Sequence, residues 1–294
     1  MTHHKMLVIM NSEGIVIHMV TAMSYTYIVV YSNFKDEVIN RMKKQELFEK
    51  ADEYKRLIEK NRPVSSEQLK EIDQFYRTSF TYSSNALAGN ELTMTETMSL
   101  LKDGLRLGDK SMKDYVEASC YAEAYDYMLT LAGSEELMIS EAAIKMLHYI
   151  FYQELDPAEA GQYRTCTDAS EGGKLQPPKP EEVAHFMEHF MNQMQSSIRF
   201  LHPIEFAAIC HKRLLDIHPF KAGNGRIARL FMNLILVHEG YAVTSIMPEL
   251  RKEYFQALTL SQQINQLDID TLIEFVAERV IEAERDYCRL LGIN

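Results

Sequence analysis

The residues best equipped for chemistry lie in one stretch, His218-Pro219-Phe220-Lys221-Ala222-Gly223-Asn224-Gly225-Arg226-Ile227-Ala228-Arg229. His218 is the one group there that titrates near neutral pH. Gly223 and Gly225 flank Asn224, and Arg226 and Arg229 follow, three residues apart. The apolar run Leu230 to Val237 reads as a helix, so both guanidiniums fall in its first turns on one face. A glycine turn entering a helix N-terminus offers backbone N–H groups and the positive end of the helix dipole. Phosphate oxygens bind there, and arginines add permanent charge and forked donors. The chemistry predicted is a base that takes a proton from a nucleophile while the loop holds phosphates. Each part alone has a plainer reading, because Gly-Asn-Gly is a common turn and a His before Pro is often structural. Their combination within one short stretch favours the site.

The elements that must position this loop are helices. His202-Pro203 opens a helix over Ile204 to Leu215 that runs into His218, with Phe206, Ile209 and Leu214 burying against the helix beyond the loop. Such a hairpin holds the loop rigidly. Upstream, apolar residues at helical spacing predict helices over Asp36 to Lys60, from Ser65-Ser66 onward, over Tyr115 to Leu131 and over Ser140 to Leu155. Ser65 with Gln68 and Thr93 with Glu96 are capping signals. Pro180 to Met194, Met247 to Gln263 and Asp268 to Leu291 complete the set. His185 and His189 lie one turn apart with no third ligand nearby, and read as surface histidines rather than a zinc site. The stripe Tyr121, Tyr125, Tyr127 reads as core and rim rather than a base-stacking platform.

The first 35 residues read as an N-terminal extension, and 36–294 as the helical domain, with a core near 65–265. Met6 to Met10, Ile15 to Val20 and Tyr25 to Tyr31 are apolar runs rich in Val, Ile and Tyr, read as two short strands. Residues Asn11 to Gly14 interrupt them, which argues against a signal peptide, and no apolar span reaches membrane length.

Lys plus Arg number 31 against 42 Asp plus Glu, a net charge of −11. That argues against a nucleic-acid-binding surface, which usually needs a basic stripe. The four cysteines, Cys120, Cys166, Cys210 and Cys288, are scattered without metal or disulfide spacing. A reducing cytoplasm fits that usage.

The stretch from His218 to Arg229 resembles the signature of the Fic family, H-P-F-x-x-G-N-G-R-x-x-R, at His218, Pro219, Phe220, Gly223, Asn224, Gly225, Arg226 and Arg229. The resemblance implies an all-α Fic bundle with one short β-hairpin, the flap, to which extra N-terminal strands would be added. It implies a protein adenylyltransferase that moves AMP from ATP to a side-chain hydroxyl of a target protein or of itself. By that likeness His218 is the general base, and Gly223, Asn224, Gly225, Arg226 and Arg229 bind phosphate. Phe220 anchors the loop, and Tyr254 is a base contact at the adenine end. In the related Doc branch a Lys replaces the second glycine and phosphate is transferred instead. Gly225 argues for AMP transfer.

Two positions depart from the family pattern. Ala222 stands where an acidic Mg²⁺ ligand is usual, so Mg²⁺ would be held mainly by the triphosphate. The segment from Ser84 through Ala88 to Gly89 resembles the inhibitory element (S/T)-x-x-x-E-(G/N), but with Ala88 in place of the Glu. The expectation is that Arg229 is free for ATP and the enzyme uninhibited. Tyr163, Arg164, Thr165, Cys166 and Thr167 match the flap, whose free edge would take a target segment as an added strand. A nucleotide-binding regulator with little turnover, and a toxin-like kinase, remain as other readings. Self-association into a homo-oligomer is left open.

Overall fold

The computed structural model describes residues 6–11, 14–19, 24–137, 139–167, 176–263 and 268–293, with side chains from residue 42 onward. The chain divides into two compact units, Met1–Glu46 and Leu47–Asn294.

In the first unit, β1 (Met6–Asn11) and β2 (Gly14–Met19) pair antiparallel, with Met6 opposite Met19 and Asn11 opposite Gly14. A long helix, α1 (Ser24–Lys60), begins in this unit and runs on into the second. The apolar run Tyr25 to Tyr31 is therefore helical, and the helix starts well before the expected Asp36. A short apolar run carries too little periodicity to separate strand from helix, and continuity with the amphipathic stretch after it decides the matter.

The second unit is helical among the described residues. It holds α2 (Ser66–Leu87), α3 (Met94–Asp103), α4 (Met112–Ala132), α5 (Glu141–Tyr152), α6 (Val183–Ser197), α7 (Pro203–Ile217), α8 (Asn224–His238), α9 (Arg251–Ser261) and α10 (Asp270–Leu290). Both capping boxes form. Gln68 N donates to Ser65 Oγ at 3.1 Å while Ser65 N donates to Gln68 Oε1 at 3.2 Å. Thr93 and Glu96 exchange the same pair of bonds at the start of α3. Among the described residues no helix is long and apolar enough to cross a membrane.

Helix α8 is the axis of this unit. Every residue from Arg226 to Leu236 is buried, and α8 packs against α7, α4, α5 and α2. A helix covered on all sides belongs to a core, and each fully buried Leu, Ile or Phe contributes about 1.5–3 kcal/mol by leaving water. That burial leaves Arg226 and Arg229 little water, so partners must be supplied.

The expected flap hairpin falls only partly within the described residues. Residues 163–167 form no strand, and 168–175, including Gly172 and Gly173, lie outside the described residues.

Candidate active site

The loop between α7 and α8 starts at His218, which caps α7 in a left-handed conformation with φ 50°. That conformation costs a non-glycine residue about 1–2 kcal/mol, and two bonds enforce it. His218 N donates to Leu214 O at 3.0 Å, and His218 O accepts from Arg164 Nε at 2.7 Å. The half-buried imidazole is thus aimed by its own backbone.

Phe220 is fully buried, in keeping with an anchor. Asn224 clamps it: Phe220 N donates to Asn224 Oδ1 at 2.9 Å, and Asn224 Nδ2 donates to Phe220 O at 2.7 Å. The amide side chain of Asn224 is therefore spent on the loop, and only its backbone N–H faces the helix entry. Ile227 N is the first to bond within the turn, to Gly223 O at 3.0 Å. The N–H groups before it, on Asn224, Gly225 and Arg226, belong to the open first turn of α8. Gly223, at φ 79°, admits no side chain, because a Cβ would sit 2.7 Å from the Tyr152 ring.

Sequence reasoning missed His148. It lies buried on α5 and stacks on Phe220, with ring centroids 3.8 Å apart and planes within 5°. Its other face stacks on Tyr152 at 4.6 Å. Gly161 N donates to Nδ1 at 2.9 Å, so the proton sits on Nε2, which lies 3.2 Å from Ala222 O. Burial pushes its pKa down to about 4. Its only sequence signal is a polar residue on an apolar helix face.

The two arginines are held from α2 and α4. Arg229 Nε donates to Ser84 Oγ and Nη2 to Ser84 O, both at 2.8 Å, and Nη1 reaches Tyr254 OH at 3.4 Å. Contrary to the expectation from the missing glutamate, Arg229 is not free. A hydroxyl and a helix-end carbonyl, neutral acceptors at the negative end of α2, hold it instead. Ser84 Oγ also bonds Tyr121 OH at 2.7 Å, and Tyr121 OH donates to Arg226 O at 3.1 Å.

Arg226 Nη1 pairs with Glu117 Oε2 at 3.2 Å and donates to Asn85 Oδ1 at 3.1 Å. Its guanidinium lies 4.5 Å over the Phe151 ring, and Nε is buried without a partner among the described residues. Among the described residues Glu117 is the single carboxylate paired with these two guanidiniums. Asn90 Nδ2 orients that carboxylate, at 3.1 Å from Oε2. Nothing in the sequence marks Glu117 or Asn90, because their partners are distant along the chain.

Two expected roles do not survive. Tyr254 is 1% exposed and its OH bonds His211 Nε2 at 2.9 Å, so it lies beneath Arg229 and cannot meet a nucleotide base. Helix α9 turns that ring inward against Phe275. Arg164 is 2% exposed rather than displayed on a docking edge. Its donors match a cluster of carbonyls, with Nη2 on Pro178 O at 2.5 Å besides Nε on His218 O, while its backbone N donates to Pro219 O at 2.9 Å. Tyr163 is half-buried beneath Lys145, whose Nζ lies 3.9 Å from the ring centroid. Thr165, Cys166 and Thr167 are exposed. Ala88 and Gly89 lie exposed just beyond α2, with Gly89 at φ 95°.

A protein-held Mg²⁺ does not fit this donor set. Ala222 offers only a methyl group, and its carbonyl faces His148. Asp156 and Glu159 are taken by Lys221, and no three acidic, His or Cys groups converge among the described residues.

Three comparisons bear on this arrangement. Residues 138–236 match the model of the Fic/DOC family. The chain is 29% identical to "Protein adenylyltransferase Fic" of Aedes aegypti over 86% of this chain and 52% of that protein. It is 35% identical to the protein of the same name from Nematostella vectensis, over 81% of this chain and 56% of that one. The chain thus spans about half the length of the curated relatives it matches. A Fic domain-containing signalling protein of Bacteroides thetaiotaomicron superposes with a TM-score of 0.73 at 26% identity, over 86% of this chain and 99% of that one.

Proposed function

The chain belongs to the Fic/DOC family, and from that membership we propose that it transfers AMP from ATP to a hydroxyl of a target protein or of itself. The observation that carries this reading is the charge balance at the entry to α8. Two buried guanidiniums and an open helix N-terminus face one paired carboxylate, Glu117, among the described residues. A polyanion completes that balance.

In the proposed reaction His218 accepts the proton of the attacking hydroxyl. The freed oxygen forms a bond to the α-phosphorus, and the bond from that phosphorus to the oxygen bridging toward the β-phosphate breaks. Pyrophosphate leaves with the electron pair. The N–H groups of the α8 first turn and the Arg226 guanidinium bear on the phosphates, and Arg229 on the terminal one. The protein's contribution is position and charge. Mg²⁺ would come with the triphosphate. The exposed residues Thr165 to Thr167 supply the main-chain edge for a target segment. The four unpaired thiols support a cytoplasmic setting.

The occupied arginines favour a second reading, a nucleotide-binding regulator with little turnover. Incubation with ATP labelled at the α or the γ position separates the cases. Protein labelled from α is the expected result. Label from γ would mean a kinase, and no label with retained ATP binding would mean a regulator. His218→Ala should bind ATP and lose transfer; full transfer in that variant would refute the base assignment.

A further inference from the structure

We propose that His148 is a positioning residue that turns the peptide between Ala222 and Gly223 so that the Gly223 N–H points into the phosphate cradle. The inference rests on the AMP-transfer reading for what the cradle holds, but not for the orientation itself.

The argument is geometric. In a trans peptide the carbonyl and the N–H point in opposite directions. The Ala222 carbonyl faces inward to His148 Nε2 at 3.2 Å. The following N–H, on Gly223, therefore points the other way, out of the packed interior. Without a donor behind it, that carbonyl could swing into the cradle and set a negative oxygen where phosphate should bind. The imidazole is itself immobilised. Gly161 N fixes one nitrogen at 2.9 Å, and Phe220 and Tyr152 sandwich the ring. Tyr152 also fills the space a side chain at Gly223 would need. The Gly161 turn, the α5 face and the catalytic loop are thereby joined through one neutral ring. His148 touches no reacting atom, and its part is to orient a donor.

The test uses two variants of the full chain. His148→Phe keeps the stacked ring and removes both hydrogen bonds. His148→Gln keeps an amide that can donate to the Ala222 carbonyl. Affinities for ATP and for adenosine are measured by calorimetry. His148→Phe should lose about tenfold for ATP, the scale of one hydrogen bond to a charged group, and nothing for adenosine. His148→Gln should recover part of the loss. Equal losses for ATP and adenosine would show a structural role only and overturn the proposal, as would an unchanged ATP affinity. The amide resonance of Gly223 should shift and broaden in His148→Phe relative to the wild type. An unaltered resonance ends the inference whatever ATP does, whereas a wild type that fails to bind ATP strikes the AMP-transfer reading and leaves the peptide orientation to that resonance.

Discussion

Ser84 grips Arg229 twice, its Oγ accepting from Nε and its carbonyl from Nη2, each at 2.8 Å. The grip is neutral, so it places the guanidinium without cancelling its charge. A carboxylate nearby would do both. Ala88→Glu, in the exposed turn just beyond α2, is expected to weaken ATP binding about tenfold, or ~1.4 kcal/mol. Titration calorimetry reads this directly. Unchanged affinity would mean that Ser84 alone sets how far Arg229 is available.

Glu117 and Arg226 form a nearly dry pair, each side chain 9% exposed. Removing one member of such a pair leaves the other charge buried and uncompensated. Glu117→Ala should therefore lose ~3–5 kcal/mol of stability, visible as a large fall in Tm. Glu117→Gln, which still accepts from Asn90, should lose less. If both variants melt with the wild type, the pair is not structural.

Acid should unfold the protein through its buried imidazoles. Burial lowers His148 to about 4 and His211, beside the Arg229 charge, to about 3, from an ordinary value of 6.5. The unfolded chain then binds more protons as pH drops below 6.5. Stability is complete above that pH and falls toward pH 4, by ~3 kcal/mol for His148 alone. Chemical denaturation at pH 7 and at pH 5 measures the loss, and His148→Phe should flatten part of it.

The metal requirement should be weak in affinity rather than absent. Ala222→Asp restores an oxygen ligand beside the cradle and should lower the Mg²⁺ concentration for half-maximal transfer about tenfold. A Mg²⁺ titration of both proteins decides it. Superimposed curves would mean that position 222 lies out of the ion's reach.

What could be read from the sequence was what is local. The hairpin of α7 and α8 follows from its motif and apolar spacing, and the caps at Ser65 and Thr93 follow from residues three apart. The inward turn of Tyr254 and the burial of Arg164 do not, because both depend on which helix face the rest of the bundle covers. The same holds for the Ser84–Arg229 and Glu117–Arg226 contacts, which join residues far apart in the chain. Tyr25 to Tyr31 was ambiguous for another reason, since seven mostly apolar residues fit either period.

Because α8 is enclosed along nearly its whole length, its amides should be among the slowest in the protein to exchange with deuterium, opening only when the bundle opens as a whole. A site mounted on the last element to come apart is poorly suited to control by melting. Tuning of such a centre is left to the cheaper adjustments at its margin, where the exposed turn just beyond α2 meets solvent.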